Sequence, residues 1–220
     1  MLTISLLNHS IPQLQLNDTI AKAIHLMQDY HLTQLPVVSG DDYLGMVSED
    51  DLLETENDRS PLENLQTGFL KAAVPVNSHF LDALALCKNM GTAIIPVVGE
   101  ENRLEGVITI HDLLLALADF TGACEPGGII VLEMEQSRFS LSEISRITES
   151  NDATVLHLNT QLIPDTGLLI VTIQVNKKEI AAIMSGFERY EYDVVSFFGH
   201  EKFENEINSN YRHLMNYLDI

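Results

Sequence analysis

Basic residues are scarce in this chain: 12 Lys and Arg stand against 32 Asp and Glu, a formal charge of −20. So acidic a chain has no electrostatic footprint for nucleic acid or for an anionic membrane, and neither is expected as a partner. The surplus charge reads first as solubility. Cysteine is nearly absent as well. Cys87 and Cys124 cannot build a disulfide framework, and this fits a reducing cytoplasm. No run of about eighteen apolar residues occurs, and no basic region precedes the polar His9-Ser10. Neither a membrane helix nor a secretory leader is therefore expected.

Catalytic patterns are missing too. The eight His are scattered without H-x-x-x-H spacing, no Cys-x-x-Cys occurs, and G-x-S-x-G, the P-loop and Gly-x-Gly-x-x-Gly are all absent. No enzyme activity, catalytic residue, dedicated metal site or resident cofactor is expected. His25 and His157 read as ordinary side chains, and Ser185-Gly186, inside an amphipathic stretch, reads as a close-packing spot.

What the chain has is a stretch that occurs twice. Leu35-Pro36-Val37-Val38 leads through a polar turn to Gly45-Met46-Val47-Ser48-Glu49-Asp50-Asp51-Leu52-Leu53, and Ile95-Pro96-Val97-Val98 leads to Gly106-Val107-Ile108-Thr109-Ile110-His111-Asp112-Leu113-Leu114. Each copy reads as a strand, a turn, a strand opening at Gly and a helix starting at a hydroxyl residue. Ser or Thr three residues before Asp is a capping geometry, and it offers a hydroxyl, a carboxylate and free N–H groups to a small anionic ligand. A helix lies upstream of each copy: Ile20, Ala23, Ile24 and Met27 form a 3.6-period stripe with Asp18 as its expected cap, and sixty residues on Phe80, Leu84 and Cys87 repeat it. Cys87 is thus a core residue. An extra residue near Asn102-Arg103 shifts the offset to sixty-one. A repeat of this length predicts two copies of one unit burying apolar faces on each other, joined by a polar linker at Thr55 to Ser60.

These motifs resemble a tandem pair of cystathionine-β-synthase (CBS) domains, a Bateman module, in repeats of about 1–56 and 66–121 within 1–121. The resemblance implies β-α-β-β-α-type units and a cleft that senses adenosine compounds: AMP, ADP, ATP or S-adenosylmethionine. Asp51 and Asp112 would then accept hydrogen bonds from ribose hydroxyls, and Ser48 and Thr109 would meet the α-phosphate. Leu35, Pro36, Val37, Ile95, Pro96 and Val97 would give apolar or main-chain contacts to adenine. CBS sequences often place Arg before the motif Asp; here Asp50 and His111 stand there. Asp50 and Glu49 make the first pocket acidic, suited to a nucleoside, a cation or a phosphate arriving with Mg²⁺, whereas an imidazole at 111 suits a phosphate.

The glycine-rich stretch 122–128 reads as a linker. In 129–200 the pattern changes to strands (Ile130, Leu132, Met134; Leu156, Leu158; Leu169, Val171, Ile173, Val175; Tyr192 to Phe198) and two helices. The first helix is expected behind the box Ser140-Leu141-Ser142-Glu143, with Leu141, Ile144 and Ile147 on one face. The second is expected behind Asn176 to Glu179, with Ile180, Ile183, Met184 and Phe187. This β-α-β-β-α-β order is ferredoxin-like. Behind a CBS pair it resembles an ACT domain, and the whole chain is similar to acetoin-utilisation accessory proteins. The loop Gln136 to Ser140 lacks the Gly that amino-acid-binding ACT domains usually carry, so sheet pairing between chains is the expected role. In 201–220, Phe203, Ile207, Tyr211, Leu214 and Leu218 form a helical stripe expected to pack on its own domain. The reading is a cytoplasmic, homodimeric, non-catalytic sensor acting through the ACT-like domain or a regulated protein. A dimerising scaffold without a ligand is the alternative.

Overall fold

A computed structural model describes residues 1–55 and 57–199; the expected C-terminal stripe at 201–220 lies outside the described residues. The chain divides into two compact units, Met1–Phe120 and Thr121–Ile220.

The first unit holds the repeat. In order it runs β1 (Leu14–Gln15), α1 (Ile20–Tyr30), β2 (Gln34–Ser39), β3 (Asp42–Ser48) and α2 (Glu49–Leu53), then β4 (Val74–Pro75), α3 (Phe80–Met90), β5 (Ile94–Val98), β6 (Leu104–Thr109) and α4 (Ile110–Thr121). Each repeat is thus β-α-β-β-α, with a two-residue strand pairing parallel to the apolar strand that follows the helix. The hairpins match residue for residue: Leu35 faces Val47 and Val37 faces Gly45 in the first, Ile95 faces Ile108 and Val97 faces Gly106 in the second. Both carry a register break after that last pair, so the duplicated sequence gives a duplicated bulge. Period-2 alternation sends Leu35, Val37 and Val47 into a core with Ile20, Ala23 and Met27, and Ile95, Val97 and Ile108 into a second core with Phe80, Ala83 and Cys87. Between the repeats Tyr43, Met46, Ala72 and Ile94 form a further buried cluster.

One local detail differs from the sequence reading. Thr19, not Asp18, is the N-cap of α1, accepting from the Lys22 N–H at 3.3 Å; Asp18 accepts from the Gln15 N–H and pairs with the Lys22 ammonium. The expected linker is pinned. The Asp58 and Ser60 carbonyls accept from the Ala21 and Ile20 N–H groups, satisfying amides that the first turn of α1 leaves without a helical partner. Cys87 sits in the core, its thiol donating to the Thr92 carbonyl.

The second unit runs β7 (Gly128–Glu135), α5 (Leu141–Glu149), β8 (Val155–Leu162), β9 (Leu168–Val175), α6 (Ala181–Arg189) and β10 (Asp193–Phe198). Its antiparallel sheet has the order β10-β7-β9-β8, which is the ferredoxin-like arrangement. Ile130, Leu132, Val171, Ile173 and Val175 bury one sheet face against Ile144, Ile147, Ile183 and Phe187 of the helices. Three expectations are corrected here. Leu141 is exposed rather than on the buried face of α5. Ser140 caps α5, but Glu143 does not complete the box; its carboxylate accepts from the Tyr192 hydroxyl at 2.8 Å and from Arg146. Asn176 does not cap α6, because its side-chain oxygen accepts from the Thr154 N–H and Ile180 takes the cap position.

Candidate functional site

The two motif boxes fold alike. Each hydroxyl residue ends a strand in extended conformation and each Asp lies in the first turn of the following helix. In the first, Ser48 Oγ donates to Asp51 Oδ2 at 2.5 Å and accepts from the Asp51 N–H at 3.2 Å, while the Ser48 N–H donates to the same Oδ2 at 3.4 Å. In the second, Thr109 Oγ1 donates to Asp112 Oδ2 at 2.6 Å and accepts from the Asp112 N–H at 3.1 Å, with the Thr109 N–H at 3.0 Å from Oδ2.

The electrostatic consequence is common to both. One carboxylate oxygen takes both local hydrogen bonds, and Oδ1 of each Asp carries none among the described residues. A charged oxygen at a partly open surface is a ready acceptor for ligand hydroxyls. Each motif hydroxyl, by contrast, has given its single proton to the carboxylate, so donating to a phosphate requires that proton to turn away.

The helices behind the boxes are unequal. Glu49, Asp50 and Asp51 crowd the first turn of the five-residue α2, whereas the twelve-residue α4 has Asp112 as its only acidic residue there. His111 and Asp50 are both exposed. Leu35, Val37, Ile95 and Val97 are fully buried with their side chains committed to the two repeat cores, which leaves their main chain for any ligand contact. Pro36 and Pro96 are buried on the same strands, and Pro36 also lines a cavity of about 290 Å³ with His9 and Gly106.

Sequence reasoning missed the segments that cross the motif strands. Leu70, ahead of the second repeat, forms a β-bridge with Met46 of the first, and Asn8, ahead of the first repeat, bridges Val107 of the second. The crossing places Thr67, Gly68 and Phe69 around Asp51 in a cavity of about 220 Å³ that Glu54 and Asn64 also line. This is smaller than the roughly 300 Å³ at which ligand pockets usually begin, enough for part of a nucleotide. No sequence signal marks them: Leu7-Asn8-His9 and Phe69-Leu70-Lys71 lie 62 residues apart, off the sixty and sixty-one of the repeat.

Comparison with known proteins bears on the two repeats. The CBS domain model matches residues 4–58 and 72–119. The chain carries a tandem pair of CBS domains. A CBS domain pair/ACT domain protein from Thermotoga maritima superposes on 55% of this chain and 98% of its own, with a TM-score of 0.51 and 26% identity. An uncharacterized 17.7 kDa protein of Acidianus ambivalens is 31% identical over 107 residues, 47% of this chain and 65% of its own. Inosine-5'-monophosphate dehydrogenase of Methanocaldococcus jannaschii is 31% identical over 99 residues, 44% of this chain and 20% of that enzyme. The chain thus spans less than two thirds of either relative. Among the described residues no helix is long and apolar enough to cross a membrane, and no group of three or more His, Cys, Asp or Glu is placed to hold a metal ion.

Proposed function

We propose that the CBS pair is a regulatory sensor for an adenosine-containing ligand, AMP, ADP, ATP or S-adenosylmethionine, and that it passes its state to the ACT-like C-terminal unit or to a partner protein. The observation that carries this is the duplicated box, in which Asp51 and Asp112 each keep one carboxylate oxygen without a hydrogen bond among the described residues. Vicinal ribose hydroxyls suit that acceptor, and adenine would rest on the main chain at Leu35 to Val37 and Ile95 to Val97, with Pro36 and Pro96 beside them. Phosphate would be met by Thr109 and His111 at the longer helix more readily than by Ser48, where Glu49 and Asp50 repel it unless Mg²⁺ accompanies the nucleotide. A kinship with acetoin-utilisation accessory proteins is part of the same proposal. A thermal-shift screen over the four compounds tests it: at least one should raise the melting temperature saturably, and a flat response to all four contradicts it.

One observation favours a second reading, a dimerising scaffold. Leu53 of α2 and Ile110 and Leu114 of α4 are 64%, 55% and 61% exposed, an apolar surface that a second copy of the chain would cover. Light scattering at micromolar concentration should give twice the 24.5 kDa chain mass, and the monomer mass would overturn it.

A further inference from the structure

One cleft of the CBS unit contains neither box. It encloses about 580 Å³, inside the range of ligand pockets, and Lys71 is its sole cationic residue. Lys71 is exposed and has no carboxylate within ion-pair distance among the described residues, although the chain carries 32 acidic residues. Gln66, Thr67 and Asn102 add polar groups beside it, and Leu44 and Val98 supply apolar wall.

The wall near Asn102 is specific to this repeat. The single extra residue in the second hairpin puts Glu101 and Asn102 in the left-handed region, at φ 54° and 62°. Side chains pay a conformational penalty there, so the turn must be held by its contacts. It is held across the repeats: the Asn102 side-chain amide donates to the Tyr43 carbonyl at 2.6 Å, and Arg103 pairs with Asp41 at 2.7 Å. Tyr43 is itself fixed by its hydroxyl, which donates to the Ala72 carbonyl at 2.8 Å. Burial raises its phenol well above the usual tyrosine value, so it offers the cleft no anion.

The repeat-related cleft is a built-in comparison. There Asn8 bridges Val107 as Leu70 bridges Met46, so His9 follows the bridge as Lys71 does; Glu105 stands at the position of Leu44, and the volume is about 290 Å³. The smaller cleft has a carboxylate where the larger one has apolar wall.

We propose that the Lys71 cleft is a second small-molecule site, separate from the two boxes, which takes a small organic anion with its carboxylate or phosphate head on Lys71 and its apolar body against Leu44 and Val98. The site does not depend on nucleotide binding. The test is an amide-resolved NMR titration of the full chain with butyrate, butyl phosphate and butylammonium. The amides of Lys71 and Asn102 should shift saturably with at least one anion and not with butylammonium, while those of Asp51, His9 and Gly106 stay in place. The anion that saturates first identifies the head. Lys71→Met should weaken binding about fivefold or more, roughly 1 kcal/mol, and Lys71→Arg should restore it. Because Lys71 is exposed, amides away from the cleft should be unchanged in both variants. No saturable shift with either anion, equal shifts with butylammonium, or wild-type affinity in Lys71→Met overturns the proposal.

Discussion

Leu70 and Met46 exchange both of their backbone hydrogen bonds, N–H to carbonyl at 2.9 Å in each direction, although one precedes the second repeat and the other lies in the first. This bridge explains why a Gly stands within the motif strand β3, which begins at Asp42 and not at the Gly. Gly45 has φ +143°, and a Cβ there would lie 2.7 Å from Phe69 Cβ and 3.2 Å from the Leu70 carbonyl oxygen. Gly45→Ala should therefore cost about 2 to 4 kcal/mol, through backbone strain and loss of the crossing. Gly40, at φ +65° with nothing within 4 Å of its would-be Cβ, should cost only about 1 kcal/mol as Ala. Urea denaturation of the two variants checks the difference; equal losses would contradict it.

Alkaline pH should weaken the second unit through Tyr192. Burial, and then its hydrogen bond to Glu143, push the phenol up from 10.0 to about 12. The folded state thus holds a proton that the unfolded chain releases, so this contribution is complete below about pH 10 and is lost as the pH rises to about 12. Tyr192→Phe should lower stability by about 1 kcal/mol near neutrality and should flatten that part of the alkaline limb. Urea midpoints of both chains across this window, followed by circular dichroism, provide the check. A parallel alkaline decline in the two would be the contrary result.

Asp50 and His111 hold equivalent positions in the two boxes and should act in opposite senses on a phosphate-bearing ligand. Removing Asp50 takes away a repulsion of about 1 kcal/mol in water-like surroundings; removing His111 takes away a donor. In an AMP titration, Asp50→Ala should bind more tightly than wild type and His111→Ala more weakly. Changes below about twofold in both, roughly 0.4 kcal/mol, would show that these exposed side chains face solvent only.

The parts of this molecule that local sequence could reveal are those set by short-range chemistry. The strand pairs Leu35 with Val47 and Ile95 with Ile108 follow from alternation and a turn. Ser48 with Asp51 and Thr109 with Asp112 follow from a spacing that places side chain and backbone within reach on one helical turn. The bridges of Leu70 to Met46 and Asn8 to Val107 join segments far apart in the chain, and no periodicity encodes such pairing. Thr19 takes the cap of α1 because Asp18 is drawn to the Gln15 amide and to Lys22, a competition invisible in a cap pattern that either residue satisfies. Glu143 likewise leaves its box for Tyr192, a partner 49 residues away.

The central claim is that the free carboxylate oxygens of Asp51 and Asp112 receive an adenosine ligand. Its most direct test is calorimetric titration of the wild-type chain with whichever of the four compounds stabilises it, beside Asp51→Asn, Asp112→Asn and the double variant. Asn keeps the shape of the box and removes the charge. Each single change should weaken its own pocket by about 1.5 to 3 kcal/mol, roughly ten- to hundredfold, and the double variant should bind without measurable heat. Wild-type affinity in the double variant would contradict the account.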